Sequence, residues 1–365
     1  GGIMPYLLSA SHVKLPHLLS QEKIMEFSRE IFGASFKNIE RLLKAFKNGQ
    51  VENRYFSNDL DWFKEDHSFA DRNDLYIQQA IKFGKEAIEK CLANTDFLKE
   101  GLQANELDAF FFISSTGIAT PTIDARIMNE LTFNPHAKRI PIWGLGCAGG
   151  ASGLSRAFEY CQAYPTAKVI VLSVELCSLT FQRNDISKSN LIGTSLFSDG
   201  VSCVLVCGDE VPSEQFSKKV RHLQFLDSQS TLMPDSLDVM GWDVKDQGLY
   251  VIFSKDIPTI IKDWLKPNVQ EFLMENGFDL NDVKDFIAHP GGKKVIDAYH
   301  EALGFDESMT AESMGVLREF GNMSSATILY VLERFMQRGG NKGEVGLAAA
   351  LGPGFSSELV LMRWK

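Results

Sequence analysis

The stretch from Ile140 to Leu154, I-P-I-W-G-L-G-C-A-G-G-A-S-G-L, constrains the fold more than any other part of the chain. An apolar run ends in Gly-Leu-Gly, one cysteine follows, and small residues then open a helical pattern through Arg156, Ala157, Phe158 and Tyr160. Cys147 is therefore expected at a strand-to-helix turn. The unpaired N–H groups of a helix N-terminus carry partial positive charge, which favours a thiolate and lowers a cysteine pKa from about 8.5 toward neutrality. Each glycine inside a helix costs up to about 1 kcal/mol against alanine, so packing or function must compensate for the five glycines within Gly144–Gly153. A small buried cysteine in a tight helix–sheet contact accounts for the same stretch equally well.

A chain of 365 residues suits two domains or one double-sized unit. No apolar run reaches the ~18 residues that cross a bilayer. The first ten residues have no basic region ahead of their apolar ones, so no secretory signal is expected. The six cysteines, at 91, 147, 161, 177, 203 and 207, form no CxxC pair, which fits a reduced, cytoplasmic setting. A net charge of −10 argues against nucleic acid as a partner, because phosphate binding needs clustered positive charge. An anionic ligand must then meet a local basic patch. Lys37, Arg41, Lys44 and Lys47 recur on one side of a predicted helix, and a solvated face is the simpler account of them.

Apolar spacing of three and four predicts helices between Ser20 and Gly49, over 71–92, 122–131, 257–276 and 293–303, and from Ser324 to Gln337. Near-continuous apolar runs predict buried strands at 109–117, 167–175, 196–208 and 285–290, with a final strand pair near the C-terminus. D-E-V-P-S-E-Q at 209–215 reads as the connection between an N-terminal half, 1–210, and a C-terminal half, 211–365. Strands alternating with helices imply a layered α/β architecture.

Two further residues share the setting of Cys147. His289 ends a strand in A-H-P-G-G, and Asn322 precedes a helix in E-F-G-N-M-S-S-A. Groups at element ends are placed for chemistry in α/β proteins, although each residue alone reads as structural. Cys, His and Asn in this order permit two reactions. Papain-like proteases place His and Asn ~130–150 residues beyond the Cys; here His289 fits that spacing and Asn322 does not. The alternative is carbon–carbon bond formation on thioesters, in which a thiolate takes an acyl group and a His and an Asn amide donate hydrogen bonds to an enolate oxygen.

W-G-L-G-C-A-G-G, A-H-P-G-G, E-F-G-N-M-S-S-A and L-G-P-G-F together resemble the signatures of type III polyketide synthases, the chalcone synthase family, over essentially the whole chain. The resemblance implies a thiolase fold, two pseudo-equivalent halves in a five-layered αβαβα sandwich, in a homodimer. It implies Cys147 as nucleophile, with His289 and Asn322 as its activators and oxyanion donors. No cofactor is implied; acyl-CoA and malonyl-CoA are the substrates. Phe197 falls on a gatekeeping position, Thr120 on one that reaches the partner's cavity, and Arg41, Lys44 and Asn48 where the family has three cations that meet CoA phosphates; Asn48 breaks that pattern, with Lys47 beside it as the substitute. Val251 replaces a second gatekeeping phenylalanine, and Leu351 replaces an aromatic residue in the loop Gly352-Pro353-Gly354. Cys177, Leu179 and Thr180 fall on cavity-shaping positions, and Trp242 fills volume where plant relatives are small. The pattern resembles the bacterial branch that makes alkylpyrones from fatty acyl-CoA. Rivals are a 3-oxoacyl-carrier-protein synthase III, a hydroxymethylglutaryl-CoA synthase, a chalcone-type enzyme with an aromatic starter, and a non-catalytic thiolase-fold binding protein.

Overall fold

The computed structural model describes residues 4–35, 39–254 and 256–365. Lys37 and the first three residues lie outside the described residues. Nine strands are hydrogen-bonded in the order Val283–Ala288, Val345–Gly352, Ser356–Trp364, Leu223–Leu232, Tyr6–Val13, Asp199–Cys207, Lys168–Leu176, Ala109–Ser114 and Lys138–Trp143. The strands before residue 208 and those after residue 222 occupy opposite ends of this order. They meet where Tyr6 pairs with Gln224.

Alternation along the C-terminal strands explains the layers. Ala348, Ala350, Val360 and Met362 turn toward the core shared with the N-terminal strands. Their neighbours Leu347, Ala349, Leu359 and Leu361 turn the other way, onto the helical segments 257–275 and 293–303. Successive side chains point to opposite faces of a strand, so apolar residues at both parities require cover on both faces. The helix Phe69–Leu92 covers the far side of the N-terminal strands. Helices Gly149–Ala163 and Thr327–Arg338 pack against each other, and strands of both halves contact them. The result is α, β, α, β, α.

The glycines of the Cys147 helix allow the two central helices to approach. A Cβ at Gly150 would collide with the Ser325 carbonyl oxygen and lie 2.7 Å from Ile328 Cγ2. The turns that precede these two helices, with Cys147 in one and Asn322 in the other, are thereby drawn together.

Two elements differ from expectation. The segment before Phe197 forms a helix, Lys188–Leu196, so the strand begins at Asp199 rather than 196. Tyr6–Val13 is a buried strand paired with Asp199–Cys207, far away in sequence. Among the described residues no helix is long and apolar enough to cross a membrane, and all six cysteines are free and buried.

Candidate active site

Cys147 sits in a short 3-10 turn, Gly146–Ala148, between the edge strand Lys138–Trp143 and the helix that begins at Gly149. Two contacts fix the turn. Gly146 N donates to Ser115 Oγ at 3.0 Å, and the Gly352-Pro353 loop presses against it. A Cβ at Gly352 would lie 2.6 Å from Leu145 O and 2.9 Å from Ala148 N. Only glycine lets that loop approach so closely.

Asn322 approaches from the other half. Its Oδ1 lies 4.0 Å from Cys147 Sγ and accepts from Ser324 N at 2.8 Å, while its Nδ2 donates to Gly291 O at 3.0 Å. An amide nitrogen carries two protons, so one remains for a substrate oxygen. Ser324 Oγ is 3.9 Å from the sulfur. Gly291 belongs to the turn that opens with His289, so Asn322 links the cysteine turn to the histidine turn. His289 is buried, and its Nδ1 has no partner among the described residues.

Burial opposes the charge that the helix N-terminus favours. Burial pushes the Cys147 thiol up to about 12, buried Glu175 adds to the rise, and the Ser324 hydroxyl opposes it. Burial draws His289 down to about 4. Removing water disfavours both charged forms. Burial thus works against the charged forms of both the thiol and the imidazole.

Glu175, at the end of the predicted strand 167–175, is a second centre of the site. Its Oε1 accepts from Ser115 N at 2.7 Å and Ser114 Oγ at 3.1 Å, and its Oε2 from Ser325 N at 3.3 Å. It therefore ties the strand end beside Cys147 to the turn beside Asn322. A lone carboxylate closing the apolar run V-I-V-L-S-V was the available signal.

The other expected residues divide. Phe197, Val251, Cys177 and Thr180 line one cavity together with Ile24, Phe27, Leu60, Phe63 and Phe181. Phe197 stacks on Phe253 at 5.6 Å and lies 6.5 Å from the Trp242 ring. In the hairpin formed by the strands Met240–Lys245 and Gly248–Phe253, Trp242 is the cross-strand partner of Val251 and donates its indole N–H to Ser115 O at 2.7 Å, which fastens the hairpin over the strand end next to Cys147. Leu351 does not line this cavity: strand alternation turns Ala350 inward and Leu351 into the outer core of the second half. Leu179 likewise packs into the core of the first half. Thr120, Arg41, Lys44, Lys47 and Asn48 are exposed. Pro353 lies against the Cys147 turn, where a Cβ on Gly146 would be 2.6 Å from its Cδ, and Gly354 follows it.

Paired α/β halves whose element ends converge on a buried cysteine define the thiolase fold. Family descriptions of the chalcone and stilbene synthases match twice, the N-terminal domain over residues 62–210 and the C-terminal domain over residues 224–364. The chain is 52% identical over 363 residues, 99% of each chain, to a Bacillus subtilis (strain 168) protein that carries a provisional chalcone synthase name. It is 31% identical over 359 residues to the 1,3,6,8-tetrahydroxynaphthalene synthase of Streptomyces peucetius subsp. caesius, covering 98% of this chain and 93% of that one. The solved structure of 1,3,6,8-tetrahydroxynaphthalene synthase from Streptomyces coelicolor A3(2), a bacterial type III polyketide synthase, matches with a TM-score of 0.88 at 28% identity over 99% of both chains. The chain belongs to the chalcone and stilbene synthase family, the type III polyketide synthases.

Proposed function

We propose that this enzyme loads a fatty acyl-CoA onto Cys147, extends it with malonyl units and releases an alkylpyrone. His289, neutral when its burial is unrelieved, takes the thiol proton as Cys147 Sγ attacks the thioester carbonyl; the C–S bond to coenzyme A breaks and the leaving thiolate recovers that proton. Malonyl-CoA then loses carbon dioxide, and the electrons of the broken C–C bond pass to an enolate oxygen held by His289 and Asn322. The enolate carbon attacks the acyl group and frees Cys147 for the next round. No cofactor beyond the coenzyme A thioesters is required, and Arg41, Lys44 and Lys47 are the cations available to their phosphates.

The observation that carries this reading is the convergence of Cys147, Asn322 and the His289 turn from both halves, within one fold that also holds an apolar cavity behind Phe197 and Val251. The fatty starter rests on that cavity's lining, which continues from Val251 past Phe27, Phe63 and Phe181. The enclosed space is about 40 Å³, enough for a few water molecules, so a long chain must turn those rings aside. Two of the relatives are named for a tetrahydroxynaphthalene product rather than a pyrone, which makes the starter the point to test. Exposed Ile118 and Trp143, 51% and 49% accessible, flank Thr120 at the open edge strand and favour a homodimer there, working in a reduced cytoplasm.

Incubation with a ladder of acyl-CoAs and malonyl-CoA, read by mass spectrometry, tests the reading directly. Pyrones carrying the alkyl starter are expected. Products built from malonyl-CoA alone would replace the fatty starter with self-priming. In Val251→Phe the wider ring should shift the kcat/KM ratio from lauroyl- toward hexanoyl-CoA, since overfilling a packed site costs ~1–3 kcal/mol. An unchanged ratio would remove Val251 from the acyl path.

A further inference from the structure

Arg54 is the buried group that the chemistry above does not use. Its side chain is 2% exposed, burial lowers its pKa to about 9, and it forms no ion pair among the described residues. Asp199 favours the charge without touching it, its own oxygens being occupied by Ser57 N, Ser178 N and Ser178 Oγ, at 2.7, 2.7 and 2.6 Å. A guanidinium taken out of water without a counter-ion is costly, so its neutral contacts must offset the charge.

Two of the three converge on one carbonyl. Arg54 Nε donates to Phe197 O at 3.0 Å, Nη2 donates to the same oxygen, and Nη1 donates to Gln21 Oε1 at 3.1 Å. Phe197 is bridged to Asn322. Asn322 N donates to Leu196 O at 2.8 Å and Ser198 N donates to Asn322 O at 2.9 Å. The segment is also packed without slack. A Cβ at Gly321, whose φ is +76°, would lie 2.9 Å from Leu196 O and 3.1 Å from Arg54 Cγ.

We propose that Arg54 is a positioning residue for two groups at once: through the Phe197 carbonyl it sets the ring at the cavity wall, and through the Phe197–Asn322 ladder it sets the amide beside Cys147. The planar fork matters more than the charge. Two N–H groups of one rigid plane converging on a single oxygen fix the carbonyl's direction, whereas an ammonium offers one point contact on a flexible stem.

The inference rests on the reaction proposed above, and Arg54→Lys tests it. In a folded variant, Cys147 alkylation by iodoacetamide should stay within about twofold of wild type, because the cysteine turn is held by Ser115 and Gly352 and not by Arg54. The kcat for malonyl-CoA decarboxylation should fall about ten- to hundredfold, the scale set by a small misplacement of a reacting group, with KM nearly unchanged. The hexanoyl- to lauroyl-CoA preference should flatten as Phe197 loosens. A residue that only held the fold together would lower thermal stability and leave that preference and the kcat-against-KM split alone. Wild-type decarboxylation and preference in folded Arg54→Lys would overturn the proposal. Should Arg54→Lys fail to fold, Arg54→Gln removes the fork without leaving a buried charge; the same losses in kcat and preference support the proposal, and wild-type values overturn it. A wild-type protein inactive on malonyl-CoA would remove the reaction itself, and this inference with it.

Discussion

At the scale of single residues, the site depends on a cysteine whose burial opposes the thiolate. Alkylation requires the thiolate, so with the Cys147 thiol raised to about 12 by burial the iodoacetamide rate should climb about tenfold per pH unit through pH 7 to 9. A plateau below pH 8 would mean that His289 supports the anion in the resting enzyme. Cys147 should still react before the other five, since it is the most exposed of them at 6%, and Cys147→Ala should abolish synthesis. Asn322→Ala should lose about 10²–10³ in malonyl-CoA decarboxylation, the usual loss for one oxyanion donor, while Cys147 remains alkylatable. Unchanged decarboxylation would exclude Asn322 from the mechanism.

At the scale of elements, the two central helices carry the site, and their contact can be tested at one position. Gly150→Ala gains up to about 1 kcal/mol of helix propensity. The added methyl meets the backbone carbonyl of Ser325, which cannot rotate away, and overpacking of this kind costs ~1–3 kcal/mol. The clash should prevail, so urea denaturation should show a lower midpoint and condensation should fall. A stabilised variant would show that the helices separate without strain. Glu175 binds the same elements from the strand side and was passed over in the sequence, because its partners Ser115 and Ser325 lie 60 and 150 residues away.

At the scale of the whole molecule, two buried imidazoles set a limit in acid. Burial lowers both His289 and His222 to about 4. A depressed pKa contributes stability that is complete above the unfolded value near 6.5 and is lost as pH falls toward 4, because the unfolded chain then binds protons that the folded chain refuses. Each histidine accounts for up to about 3 kcal/mol over that window, less for His222, which is less deeply buried. The Tm should therefore drop between pH 6.5 and 4, and His222→Gln should flatten the fall without touching the site. An equally steep fall in that variant would assign the acid limit to other groups.

Local pattern determined a good deal of this protein. The Cys147 turn, the His289 turn and the Asn322 turn are each written in a few consecutive residues, because an apolar strand, a glycine-rich break and a helix start are short-range signals. The helices and buried strands follow for the same reason, and four motifs in register were enough for the family. Tertiary structure decided what depends on distant partners. The strand Tyr6–Val13 exists because Asp199–Cys207 and Gln224 flank it. Leu351 and Leu179 leave the cavity because strand parity and core packing, not motif position, choose a side chain's face. The upward pull on the cysteine's pKa comes from the water excluded around it, which no neighbouring residue in the sequence reports, and it acts against the helix N-terminus that the sequence shows plainly.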